Sequence, residues 1–211
     1  MEDEHGSSIG LTAEFEGTVS KGTFRWPNGD MYTGTFHDGL MHGKGRYHWK
    51  DGSLYRGDFF HGLRTGRGTI NYRDGGIYEG QFLEGKRHGK GTYLAHDNLM
   101  YTGSWENDAM TGRGALILPD GTRLEGEFAD GMMNGRGKCF YADGGSYSGM
   151  FSDNLRNGQG IHHYPDGSVY QGEWSSGKRN GKGIMYYPDG ICMMCEFRDD
   201  IMLGYRFASV R

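Results

Sequence analysis

The stretch YEGQFLEGKRHGKGTYLAHDNLM, from Tyr78 to Met100, decides the fold. Tyr78, Gly80 and Phe82 alternate with Glu79 and Gln81. A period of two puts rings on one face of a β-strand and polar side chains on the other. Leu83-Glu84-Gly85-Lys86-Arg87-His88 is polar and contains glycine, so it reads as a hairpin loop. Gly89, Gly91, Tyr93 and Ala95 then alternate with Lys90, Thr92 and Leu94, which predicts a second strand before the unit closes at Asp97-Asn98.

Working outward, the same frame recurs without insertion or deletion. Tyr32, Tyr55, Tyr78, Tyr101, Leu124, Tyr147, Tyr170 and Met193 each lie 23 residues after the one before. A fixed period of this length marks a repeat array. Between units stand Asn28-Gly29, Asp51-Gly52, Asp74-Gly75, Asp120-Gly121, Asp143-Gly144, Asp166-Gly167 and Asp189-Gly190. Asx-Gly between alternating stretches predicts a tight turn, because both residue types tolerate positive φ. Glycine inside a strand ordinarily weakens it. Its three fixed positions per unit predict notches, each covered by a ring from an adjacent strand.

The predicted fold is all-β: an elongated, single-layer, twisted antiparallel sheet of consecutive 23-residue β-hairpin repeats. Residues 1–12 read as a disordered tail and 13–211 as the array. Within it, 13–31 form a partial N-terminal cap, 32–192 seven full repeats, and 193–211 a degenerate C-terminal cap. Leu124 replaces the leading tyrosine of one unit, and Met193 and Cys195 replace Tyr and Gly in the last.

Composition narrows the function. Forty glycines suggest disorder, but aromatic residues make up 14% of the chain and recur at fixed positions, which disordered chains lack. A net charge of −4 supplies no pull toward nucleic acid. No run of about 18 apolar residues is present, so no spanning helix is expected. Three cysteines and an acidic, polar N-terminus suit a cytoplasmic chain.

Motifs that carry chemistry are weak. Cys192-Met193-Met194-Cys195 is a CxxC, but the only other cysteine is Cys139, and strand alternation puts the pair on opposite faces. His42 and His88 precede repeat glycines, and the rings of His162 and His163 should point apart. Gly85 to Gly91 superficially matches a phosphate loop, yet no helix follows it. The expectation is a non-enzyme with no cofactor and no metal.

Two surfaces remain as binding candidates. An aromatic stripe runs through Trp49, Phe59, Tyr72, Phe82, Trp105, Phe128, Tyr141, Phe151, Tyr164 and Trp174. A one-layer sheet cannot cover both faces, so part of this stripe is expected to form a groove for a partner's helix or extended peptide. Basic residues Arg64, Lys86, Arg87, Lys90, Lys178, Arg179 and Lys182 fall at corresponding loop positions. A row of this kind along one edge would suit a peripheral, anionic membrane. Open sheet ends make a homodimer a further expectation.

The pattern YxGxF/W, a Gly-containing loop, GxG, an aromatic and Asp-Gly resembles the MORN (membrane occupation and recognition nexus) repeat family. YQGEWSSGKRNGKGIMYYPDG, Tyr170 to Gly190, carries it most fully. The resemblance implies elongated sheets of successive hairpins. It also implies scaffolding in cytoskeletal, ciliary or membrane-junction assemblies, a radial-spoke-head-like component of an axoneme being one example.

Overall fold

A computed structural model describes residues 17–207, so the expected 1–12 tail lies outside the described residues. These residues form seventeen strands and no helix. The chain divides into two compact units, one ending at His96 and the other beginning at Asp97.

The first unit contains β1 (Val19–Arg25), β2 (Met31–His37), β3 (Leu40–His48), β4 (Leu54–Phe60), β5 (Leu63–Asn71), β6 (Ile77–Leu83) and β7 (Lys86–Leu94). The second contains β8 (Met100–Glu106), β9 (Ala109–Ile117), β10 (Arg123–Ala129), β11 (Met132–Phe140), β12 (Ser146–Ser152), β13 (Leu155–His163), β14 (Val169–Ser175), β15 (Lys178–Tyr186), β16 (Cys192–Arg198) and β17 (Ile201–Phe207). Within each unit every strand pairs antiparallel with its chain neighbours. The all-β meander of hairpins expected from the period is the one observed.

The turns differ from the sequence reading. The six-residue loop expected at Leu83 to His88 is a two-residue turn, and β7 begins at Lys86. Glu84 and Gly85 both take positive φ, 50° and 81°, as do Asp153 and Asn154 at 49° and 66°. Such turns match the strand twist and close hairpins tightly. At the opposite edge, Asp74 lies outside the left-handed region and only Gly75 enters it, at φ 92°. Asp74 acts through its side chain instead, Oδ1 accepting the Gly76 N–H at 2.9 Å.

Only two of the three repeat glycines are notches. The third, represented by Gly66 and Gly89, has φ 57° and 64° and coincides with a register shift after Gly57 and Gly80. It is the left-handed residue of a β-bulge. The other two pair directly, as in Gly57↔Gly68 and Gly80↔Gly91. A Cβ on Gly68 would lie 2.4 Å from the Tyr55 ring, and one on Gly57 would lie 2.3 Å from the Tyr55 hydroxyl. The covering ring therefore comes from the same strand, two residues earlier, and lies over both glycines. Its hydroxyl donates to the Asp58 carbonyl at 3.0 Å.

This arrangement makes the core. Tyr32, Tyr55, Tyr78, Tyr101, Tyr147 and Tyr170 are at most 1% exposed although no second layer covers them. The other face is less polar than the alternation suggested. Ile77 and Leu94, residues just outside the Tyr-bearing frame, pair there, and Asn71 separates them from Leu54.

Candidate partner-binding face

The repeat tyrosines and the Phe or Trp four residues later build an edge-to-face ladder. In the first unit Phe59 meets Tyr55 at 5.1 Å and Tyr32 at 5.0 Å, and Phe82 meets Tyr78 at 5.2 Å and Tyr55 at 5.1 Å. In the second, Trp174 meets Tyr170 and Tyr147, each at 5.3 Å. Pairs of this geometry contribute about 0.5–1.5 kcal/mol beyond their burial. Phe59, Phe82, Trp105, Phe128, Phe151 and Trp174 are thus core residues, each at most 5% exposed. Of the ten stripe residues, Trp49 and Tyr72 in the first unit and Tyr141 and Tyr164 in the second remain half-buried, outside the inner rings of their own unit. Tyr187, at 36% exposure, joins Tyr141 and Tyr164 in the second unit.

The basic residues do not form one row. Arg64, Arg87, Arg156 and Arg179 lie in strands and turn onto the ring face. The Arg64 guanidinium is 5.2 Å from the Trp49 ring centroid, and Arg156 is 4.1 Å from that of Trp174. Arg87 covers Tyr78 and Tyr93, and Arg179 covers Phe197. Arg64 and Gly85 form a reciprocal clasp. The Gly85 N–H donates to the Arg64 carbonyl at 2.9 Å, and the guanidinium donates to the Gly85 carbonyl at 2.5 Å. Arg156 and Gly177 repeat it. Lys86, Lys90, Lys178 and Lys182 are exposed and alternate with ring-facing residues, so they occupy the reverse face. The predicted cationic edge is split because the second strands start at Lys86 and Lys178 rather than beyond them.

His162 is the residue that sequence reasoning underestimated. It is 7% exposed and stacks between Tyr141, at 5.4 Å and 25°, and Trp174, at 5.8 Å and 28°. Its Nδ1 accepts from Arg156 at 2.9 Å, since a guanidinium can only donate. The proton of the neutral ring is therefore on Nε2. Burial, reinforced by the Arg156 charge, lowers its pKa to about 4. The available signal was its alignment with Tyr47 and Tyr93 at the same repeat position.

Other titratable groups on this face have structural roles. Burial is the main cause that raises Tyr147 and Tyr170 to about 12, so both stay protonated and donate to the carbonyls of Met150 and Glu173. Burial also raises the Cys139 and Cys195 thiols. All three cysteines are free, with Cys139 and Cys195 buried and Cys192 partly exposed. Among the described residues no group of His, Cys, Asp and Glu is placed to hold a metal ion. On the reverse face of the second unit, a trough lined by Arg113, Glu127 and Lys138 pairs opposite charges across strands, as in Glu127↔Arg113 and Glu125↔Lys138.

The MORN repeat model matches residues 19–31, 32–54, 55–77, 78–100, 101–123, 125–146, 147–169 and 170–192. The chain belongs to the MORN-repeat family. The sequence matches none of the curated proteins with which it was compared. Among solved structures, one similar chain is the SAS-4 (dCPAP) TCP domain of Drosophila melanogaster in complex with a proline-rich motif of Ana2 (dSTIL). It has a TM-score of 0.46 and 18% identity, over 74% of this chain and 85% of that one. A point mutant of the TCP10 domain of Danio rerio CPAP has a TM-score of 0.46 and 13% identity, over 82% of each chain. BamB from Moraxella catarrhalis has a TM-score of 0.21 and 9% identity, over 90% of this chain and 88% of that one. No helix among the described residues is long and apolar enough to cross a membrane.

Proposed function

We propose that this chain is a non-catalytic scaffold of a cytoskeletal or ciliary assembly, docking protein partners on its outer rings. One observation carries the reading: in each unit outer rings, Trp49 and Tyr72 in the first and Tyr141 and Tyr164 in the second, stay partly open beside inner rings that are fully packed. Rigid aromatic side chains on a finished core lose little freedom when a partner covers them, and such residues dominate binding energy. The functional groups beside them are committed to the fold, as the His162–Arg156 pair and the tyrosine–carbonyl bonds illustrate. The cytoskeletal or ciliary setting rests on membership of the family.

Proximity labelling in cells tests this reading. A Tyr141→Ala/Tyr164→Ala variant should lose a discrete set of cytoskeletal neighbours. The reverse-face variant Ser148→Ala should keep them. Equal loss from both variants, or from neither, rejects the ring row as the docking surface.

A further inference from the structure

The outer row of the second unit has a period that selects its occupant. Tyr141, Tyr164 and Tyr187 follow β11, β13 and β15, so successive rings are two strands apart. Two strand spacings amount to about 9.6 Å. The His162 ring supports the same scale, being 5.4 Å from Tyr141 and 4.2 Å from Tyr164, so those two tyrosines lie no further apart than both legs combined. A polyproline II helix has three residues per turn and advances about 3.1 Å per residue, or about 9.3 Å per turn. Such a segment running across the strands would bring the same side of its helix to each successive tyrosine.

Charge adds a second requirement. Asp143, Asp166 and Asp189 stand two residues beyond the three tyrosines, and all three are exposed. In each, Oδ1 accepts a backbone N–H, from Gly145 at 2.8 Å, Ser168 at 2.8 Å and Ile191 at 3.0 Å. These bonds fix the carboxylates as a row along the turn edge. On the inner side the cations are already engaged, Arg156 with Gly177 and His162, and Arg179 with Asp200. The unsatisfied field on the outer side is therefore negative.

We infer that the Tyr141–Tyr164–Tyr187 row binds a basic, proline-rich segment in polyproline II conformation, laid across the strands. A proline at every third position stacks on successive tyrosines, and Arg or Lys side chains reach the aspartate row. The extended, preformed backbone of such a ligand loses little entropy on docking. This assignment rests on the ring row being a docking surface and names the chemistry of what docks there.

Two synthetic peptides of identical composition provide the test. One carries prolines at every third residue with arginines between them, and the other spaces the same prolines at every fourth. Titrated against the full chain by fluorescence anisotropy, the triplet-spaced peptide should bind at least about tenfold more tightly. Tyr187→Ala, at the most open of the three positions, should weaken it about tenfold, a cooperative thermal melt showing that the variant is folded. Asp143→Asn/Asp166→Asn/Asp189→Asn should weaken it and flatten its salt dependence. Equal affinity for both spacings, binding indifferent to Tyr187→Ala, or no binding of either peptide overturns the inference. If the peptides fail while the Tyr141→Ala/Tyr164→Ala variant still loses its neighbours in cells, only the polyproline assignment falls. If that variant loses none, the docking reading falls with it.

Discussion

Met133 takes over Gly137 the place that a tyrosine ring holds in the other full repeats. A Cβ on Gly137 would lie 2.8 Å from the Met133 Cε, and one on Gly126 would lie 3.1 Å from it. The repeat that has Leu124 instead of tyrosine thus covers its paired glycines from the partner strand, and Met133 is fully buried. A flexible thioether suits a gap shaped for a flat ring. The aligned position holds arginine at residues 64, 87, 156 and 179.

The first prediction concerns this substitution pair. Met133→Ala leaves the glycine pair uncovered and should cost about 2–5 kcal/mol in a denaturant titration. Leu124→Tyr alone forces a ring into space that Met133 fills and should cost about 1–3 kcal/mol. Leu124→Tyr/Met133→Arg rebuilds the arrangement of Tyr147 and Arg156 and should recover most of that loss. A strictly additive double variant would refute the shared-space account.

Gly68 and Gly22 should respond oppositely to alanine. The Gly68 Cβ would collide with the Tyr55 ring, which is itself fully buried. Gly68→Ala should lower stability by about 1–3 kcal/mol. Gly22 has an ordinary φ and no atom within 4 Å of its added Cβ, so Gly22→Ala should change stability by less than about 0.5 kcal/mol. Thermal melts of the two variants side by side decide the point.

Arg156 acts as a packing residue as much as a charge. Arg156→Ala removes the guanidinium over Trp174 and leaves the Gly177 carbonyl and His162 Nδ1 without that donor. The expected cost is about 1–3 kcal/mol. Arg156→Met, the residue found at the aligned positions 110 and 133, should cost less than alanine because it keeps the packed stem. Arg156→Lys keeps the charge but not the planar fork, and should recover less than half of the alanine loss. Chemical denaturation of the three variants gives the ranking.

His162 should make stability pH-dependent on the acid side. Its folded pKa of about 4 lies below the ordinary 6.5, so between these values the unfolded chain binds the extra proton. Stability from the neutral ring is fully present above about pH 6.5 and is lost as pH falls toward about 4. His162→Leu, which mimics Leu116 at the aligned position, removes this dependence. The stability of wild type minus that of the variant should fall steadily from pH 7 to pH 4.5. A gap that stays constant would mean that burial of His162 is not linked to its protonation.

Much of the fold was legible because local chemistry repeats. Tyr78, Gly80 and Phe82 declared both the face and the strand, and the 23-residue spacing declared the hairpins. Positions governed by backbone sign were less accessible. Gly89 and Gly91 look alike in the sequence, but one is a left-handed bulge and the other a notch under Tyr78. Treating the residues from Leu83 to His88 as a loop moved Arg87 off the strand and hid its place over Tyr78.

The sequence by itself determined the element type, the period and the face that carries the rings, because alternation and Asx-Gly punctuation act over a few residues. Only the tertiary structure decided which rings close the core and which stay open. Phe82 and Tyr72 are both aromatic and both on the ring face, yet the first is wedged between two tyrosines and the second lies at the margin. That distinction depends on strand register and on the bulge that sets it, and both arise only when hairpins pair with one another.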